Sequence, residues 1–342
     1  MHQSWRFVFV AAAVSALTAG AALPVTAKAQ ARRAAAAPGG LDLYVPIPPG
    51  GRVGPDVVAL GRRLFFDADL SRDSTLACAS CHQPGRGFAD SRKVSVGVFG
   101  RTGTRNVPAI LNLAWGKTFF WDGRTATLEQ QVLQPLVALN EMDMTVDDVV
   151  QRLGQNVDYR RLFDRTLGED VTRDGLARAL AAYVRSIRAG GSRFDRFADG
   201  DRDALNALER RGMSLFQGRA RCARCHLGAL LTDLAFHNTG VAWRNGEPAD
   251  SGRALVTGQA VDVGAFKTPT LRHVTRTAPY MHDGSLATLE EVVDFYDDGG
   301  HANPYLDQRL RPLGLTDRDK AALLAFLRSL EGHIQEGGPL GG

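Results

Sequence analysis

Apolar residues recur at three- and four-residue spacing along most of the chain, the pattern of helices that each bury one face. It predicts helices over Val57–Phe66, Leu128–Leu139, Val146–Leu153, Asp174–Ile187, Ala204–Phe216, Leu289–Tyr296 and Asp317–Leu330. Two of these starts carry capping residues: Thr127 precedes Leu128-Glu129-Gln130, and Thr316 precedes Asp317. Strand-like alternation is scarce and short, so the class is mainly α with few short strands. Loops punctuated by Gly and Pro separate the helices, as expected where a large rigid group fills much of the core. Gly190-Gly191 follows one helix and precedes an Asp/Arg-rich approach to the next, which makes it the expected domain boundary.

The pattern also repeats. Pro108-Ala109-Ile110-Leu111, followed by Trp121-Asp122-Gly123-Arg124 and Thr127-Leu128-Glu129-Gln130, reappears as Pro269-Thr270-Leu271-Arg272, His282-Asp283-Gly284-Ser285 and Thr288-Leu289-Glu290-Glu291. The offset is 161 residues throughout, with no gap. Such self-similarity is the mark of a duplicated unit.

Composition adds a destination. Arg6, the apolar run Phe7 to Leu23 and Ala27-Lys28-Ala29 make residues 1–29 read as a cleaved secretory signal. A membrane anchor is the competing reading; Pro24 and the cleavage site weigh against it, so no stable membrane span is expected after cleavage and the location is the periplasm. Loss of Arg6 and Lys28 lowers the formal charge from +4 to +2, so charge makes no case for nucleic acid or membrane partners. Residues 30–50 read as a flexible leader and 336–342 as a tail. After cleavage of the signal about 310 residues are left, enough for two cores of ordinary size.

The chemistry lies in the four cysteines. Cys78-Ala79-Ser80-Cys81-His82 and Cys222-Ala223-Arg224-Cys225-His226 are two C-x-x-C-H motifs, the attachment signature of c-type haem: two thiols for the porphyrin vinyls and a histidine for the iron. Paired C-x-x-C spacing also serves zinc; the histidine in both copies and the export signal favour haem. Haem attachment then uses every thiol, and no disulfide is expected. The motifs and the repeat together predict two cytochrome c-like haem domains, 51–190 and 191–335.

Carried one helical turn further, the repeat sets Pro135 opposite Tyr296. Proline cannot ligate iron and tyrosine can. No histidine or methionine occurs between His82 and Met142, so the first haem is expected to be five-coordinate and open, the second closed by His226 and Tyr296. Met213, Met281, His282 and His301 are rival sixth ligands, His301 the strongest of them, and a buried hydrogen-bonded phenol is the plainer reading of Tyr296. His237 and His273 read as loop or propionate partners.

These residues resemble the bacterial dihaem cytochrome c peroxidase family, and within it the MauG-like branch. The resemblance runs from about Val57 to Leu330 and is carried by both haem motifs with Phe119-Phe120-Trp121-Asp122-Gly123-Arg124 and Met281-His282-Asp283-Gly284-Ser285. It implies that Trp121 lies between the haems and that Gln131, Pro135 and Glu141 form the distal pocket of the first. It also implies one calcium ion held by the Asn106 side chain and the carbonyls of Thr277 and Pro279; oxygen ligands suit a hard cation.

Three departures qualify the likeness. The histidine that caps the first haem in typical members is missing here, and Tyr296 stands where they carry methionine; the MauG-like branch has tyrosine there. Ala220 stands where the founding member of that branch carries a tryptophan that draws electrons from its protein substrate. The implied reaction is heterolysis of hydrogen peroxide at the first haem, with Glu141 moving the proton and Gln131 donating a hydrogen bond. Electrons arrive through Trp121 and the second haem, from a small cytochrome, a cupredoxin or a protein substrate. A dihaem electron-transfer protein without catalysis is the alternative; an open iron position argues for the enzyme.

Overall fold

The apolar stripes become helices that stop at capping residues. In the computed structural model, which describes residues 53–338, helix Pro55–Phe65 opens on a proline at its first position, has Asp56 in the first turn and Arg62 and Arg63 in the last, each the favourable sign for the helix dipole. The expected signal, the leader and the last residues of the tail lie outside the described residues.

Helix Pro55–Phe65 packs on Arg173–Ser186, and helix Ala207–Gln217 packs in the same way on Asp317–Ser329. A glycine permits each crossing. A Cβ on Gly61 would lie 1.8 Å from the carbonyl oxygen of Ala179, and one on Gly212 would lie 1.9 Å from that of Ala322. An aromatic residue one turn on, Tyr183 or Phe326, flanks each contact. Around the first pair gathers a core from Val58 to Ala189; around the second, a core from Phe216 to Leu330.

The expected helix Leu128–Leu139 is broken into Leu128–Gln131 and Gln134–Val137. Pro135 is the reason: it has no N–H to donate, and its ring crowds the carbonyl four residues earlier. Besides the single turns Cys78–Cys81 and Ala254–Thr257, two longer helices, Val157–Leu167 and Arg193–Ala198, have no counterpart in the sequence expectation. The first buries only Tyr159 and Phe163 and is otherwise largely charged, and the second is six residues long, so neither carries a strong periodic signal.

Among the described residues the strands form three two-stranded antiparallel ribbons, which keeps the molecule mainly α with few short strands. Phe236–Asn238 pairs with Ala265–Lys267, and Trp243–Arg244 with Glu247–Pro248. Arg188–Gly190 pairs with His333–Gln335, which returns the C-terminal segment to the first core. There Tyr183 donates to Glu336, and the Gly337 N–H donates to Ser186 Oγ at 3.0 Å.

Backbone conformation recurs at the 161-residue spacing. Asn112 and His273 are left-handed at φ 60° and 57°, and Phe120 and Met281 at 68° and 73°. Thr127 caps its helix by accepting from the Gln130 N–H, and Thr288 does so from that of Glu291. No helix among the described residues is long and apolar enough to cross a membrane.

Candidate functional site

Each C-x-x-C-H segment folds into a single turn that aims its histidine inward. Cys78–Cys81 is helical, with the Ala77 N–H donating to Ser80 Oγ at 3.0 Å and the His82 N–H to the Cys78 carbonyl at 2.9 Å. His82 Nδ1 lies 3.1 Å from the carbonyl of Phe88. A carbonyl only accepts, so Nδ1 carries the proton and Nε2 keeps its lone pair for a metal. Burial lowers the His82 pKa, with the Phe88 carbonyl opposing, which favours the neutral, ligating imidazole. The second motif repeats the geometry: the His226 N–H donates to the Cys222 carbonyl at 2.9 Å, and Nδ1 to that of Leu231 at 3.1 Å. Burial lowers the His226 pKa too.

All four cysteines are free thiols. Burial pushes Cys78 and Cys222 up to about 12 and Cys81 up to about 11. A zinc site needs thiolates that converge. Among the described residues no group of ligating atoms joins thiols of both motifs; one compact group is Cys225, Asp233 and His237.

Both motifs open onto one cavity of about 1290 Å³, lined by Cys81 and His82 on one side and by Cys222, Cys225 and His226 on another. Ligand pockets commonly run to roughly 300–1,000 Å³, so this space exceeds the usual single-ligand site. Gln131, Pro135 and Glu141 line it and also line an adjoining chamber of about 70 Å³ shared with Cys78 and His82. Burial raises the Glu141 pKa, and Arg124 pulls it back only in part. Trp121 lines the main cavity, its indole N–H donating to the Asn106 carbonyl at 2.9 Å.

Tyr296 faces the same cavity, and its hydroxyl makes no hydrogen bond among the described residues. Burial raises its pKa, and Cys222 and Cys225 add to the effect. The rival ligands separate. Met281 and His282 line the cavity, whereas Met213 packs against the second core and His301 is exposed and outside the lining. His282 stacks on Phe266 with ring centres 3.6 Å apart. Neither His237 nor His273 is free: His237 lies 2.6 Å from Asp307 and 2.8 Å from Asp233, and His273 Nε2 accepts from the Gly332 N–H.

Two observations test whether the implied groups fit. Arg221 lines the cavity, and its buried Nε and Nη1 have no partner among the described residues; a haem carboxylate would supply the anion they lack. Asn106 is buried and donates from Nδ2 to the carbonyls of Arg92 and Lys93, both at 3.2 Å. That orientation leaves Oδ1 as the free acceptor, as a cation ligand must be. Thr277 and Pro279 share the cavity lining with it.

Several residues of the site escaped the sequence reading. Lys267, nearly buried, donates from Nζ to the Thr118 carbonyl and from its backbone N–H to that of Trp121, at 2.7 and 2.8 Å. It thereby clamps the loop that carries Trp121. Arg105 bridges Asp122 at 2.6 Å and Asp250 at 2.7 Å, joining the same loop to the other half of the chain. Only Arg221 had a sequence signal, its place directly before Cys222.

The sequence profile described as di-haem cytochrome c peroxidase matches residues 55–203. Methylamine utilization protein MauG of Methylorubrum extorquens is 39% identical over 335 residues, covering 96% of this chain and 94% of that protein. A cytochrome-c peroxidase of a Pseudomonas species is 36% identical over 318 residues, covering 84% of this chain and 83% of the other. Among solved structures, a MauG-like protein associated with microbial copper homeostasis aligns with a TM-score of 0.77 at 35% identity, covering 84% of this chain and 93% of that one. With two C-x-x-C-H turns opening on one large cavity and likeness of this extent, the chain belongs to the di-haem cytochrome c peroxidase family, oxidoreductases that act on peroxide.

Proposed function

We propose that this protein is a periplasmic peroxidase or oxidase in which the His82 side of the cavity meets hydrogen peroxide and the His226 side supplies electrons. The observation that carries the reading is the asymmetry of the cavity wall: Gln131, Pro135 and Glu141 line the chambers beside His82, and Tyr296 faces the cavity that His226 lines. The recurrence of caps and left-handed residues at the 161-residue spacing supports two haem domains, 51–190 and 191–335, from one duplicated unit.

Cys78, Cys81 and His82 would hold a haem, which when bound would supply the iron for breaking the peroxide O–O bond. Glu141 takes the proton from one peroxide oxygen and returns it to the other, so that water leaves; burial, by raising its pKa, suits it to both roles. Gln131, in the wall of the same chambers, would donate a hydrogen bond to peroxide. Pro135 keeps the reacting face free of a protein ligand. Trp121 relays the electrons, and the Asn106 carbonyl fixes its indole. Tyr296 would close the second site, and ligation of its oxygen to the iron would favour oxidised states. Asn106, Thr277 and Pro279 would hold a calcium ion through oxygen ligands. The reductant is a small cytochrome or cupredoxin, or a side chain of a protein substrate. The signal-like sequence of residues 1–29 supports the periplasmic placement.

Adding one equivalent of peroxide to the fully oxidised holoprotein tests this reading. The spectra of both haems change together within the mixing time course. A carrier without catalysis shows only slow bleaching, and that result removes the enzyme reading.

A further inference from the structure

The cavity wall beside the second motif carries arginines that have no acidic side-chain partner among the described residues. Arg221, Arg224 and Arg311 all line it, and none forms an ion pair among the described residues. Desolvation, then repulsion from Arg224 and Arg311, lowers the Arg221 pKa, so the three guanidinium groups feel one another. Neighbouring arginines are neutralised: Arg309 by Asp307, Arg219 by Asp319 and Arg244 by Asp283. The buried nitrogens of Arg221 suit a haem carboxylate, as described above. Arg224 and Arg311 are exposed. Leu227, the residue after His226, is 48% exposed.

Beside the first motif the arginines that line the cavity, Arg105 and Arg124, are both paired with Asp122. Ser80 stands in the place of Arg224 and accepts from the Ala77 N–H, and Gln83 stands in the place of Leu227. The same turn closes with a neutral polar residue at the first site and an unpaired cation at the second. Clustered like charges repel, and an anionic partner offsets that cost.

We propose that Arg224 and Arg311, with the exposed Leu227 three residues after Arg224, form the docking surface for an acidic redox protein that gives electrons to the second site. The proposal rests on the peroxidase reading and adds the chemistry of the partner. Charge with little apolar contact suits a transient complex: charge sets orientation and on-rate, and the small contact lets the partner leave. Each peroxide takes one electron from each of two reduced partners and two protons, leaving two waters and two oxidised partners.

The test uses the holoprotein and one donor in two charge states: reduced horse cytochrome c, which is basic, and the same cytochrome with its lysines succinylated, which is acidic. At low ionic strength the acidic form has the higher kcat/KM for peroxide-dependent oxidation, by about tenfold or more, and added salt erodes the preference. Arg224→Glu with Arg311→Glu abolishes or reverses it, while the donor-free response of both haems to peroxide is unchanged. If the double variant loads haem poorly, Arg224→Gln with Arg311→Gln reads the same comparison. A wild-type preference for the basic cytochrome, or a preference for the acidic one that survives both variants, overturns the proposal. A wild-type protein without any donor-free response overturns the underlying peroxidase reading instead.

Discussion

At the scale of single residues, protonation decides what the site can do. Glu141 is raised by burial, so its proton is held at pH values where an exposed glutamate, near pH 4.3, has lost it. As a base it works only when ionised, so the rate of the peroxide reaction climbs with pH through that raised pKa. Stopped-flow rates against pH should therefore show an acid limb above the ordinary glutamate range. Glu141→Gln should remove the limb and slow the reaction at least about tenfold with haem content intact; a limb that persists unchanged assigns the proton to another group. Tyr296→His should convert the second haem to a more easily reduced bis-histidine centre, visible in its spectrum and midpoint potential. An unmoved spectrum means that the ligand is elsewhere.

At the scale of elements, the two helix crossings and one buried ion pair hold the frame. Because a Cβ at Gly212 would meet the Ala322 carbonyl oxygen at 1.9 Å, Gly212→Ala must push the helices apart. Overpacking of this kind costs about 1–3 kcal/mol, read as a lower urea midpoint of the holoprotein; a midpoint at the wild-type value means that the crossing yields freely. In the second half Arg272 replaces the Leu111 of the first, and it makes a bidentate pair with Asp195 at 2.7 and 2.8 Å. Burial works to raise the Asp195 pKa, but the Arg272 bonds outweigh it and hold the carboxyl below the ordinary range. The pair's stabilisation is thus present above pH ~4 and is lost as the pH falls through the depressed pKa. Arg272→Leu leaves a buried carboxylate unpaired, at a cost of about 3–5 kcal/mol, and should flatten that part of the acid-stability profile.

At the scale of the whole molecule, the halves are tied by contacts that cross the repeat. Arg105 reaches Asp250, Lys267 reaches the carbonyls of Thr118 and Trp121, and the Asn106 N–H donates to the His282 carbonyl at 2.7 Å. The proposed calcium ligands span the same seam, Asn106 on one side and Thr277 and Pro279 on the other. Chelating calcium from the holoprotein should leave both haems attached yet slow the joint spectral response to peroxide; Asn106→Ala should reproduce it, and readdition of calcium should rescue only the wild type. A response indifferent to chelation would place the cation elsewhere or remove it.

Much of the haem chemistry was legible because it is local. A C-x-x-C-H turn needs five consecutive residues, and an unbroken 161-residue offset aligns Pro135 with Tyr296 by counting alone. The break at Pro135 was legible in principle, since a missing N–H is a covalent fact, yet the apolar stripe hid it. Arg272 with Asp195 and Lys267 with Thr118 were illegible: partners 77 and 149 residues apart meet only when the chain is folded. Folding also parted the rival ligands, turning Met281, His282 and Tyr296 to the cavity and leaving His301 exposed. Covalent spacing determined what each motif can bind, because those atoms are neighbours in any conformation. Packing alone decided that both motifs share one cavity and that unpaired arginines gather at only one of them, because burial and pairing are properties of surfaces brought together.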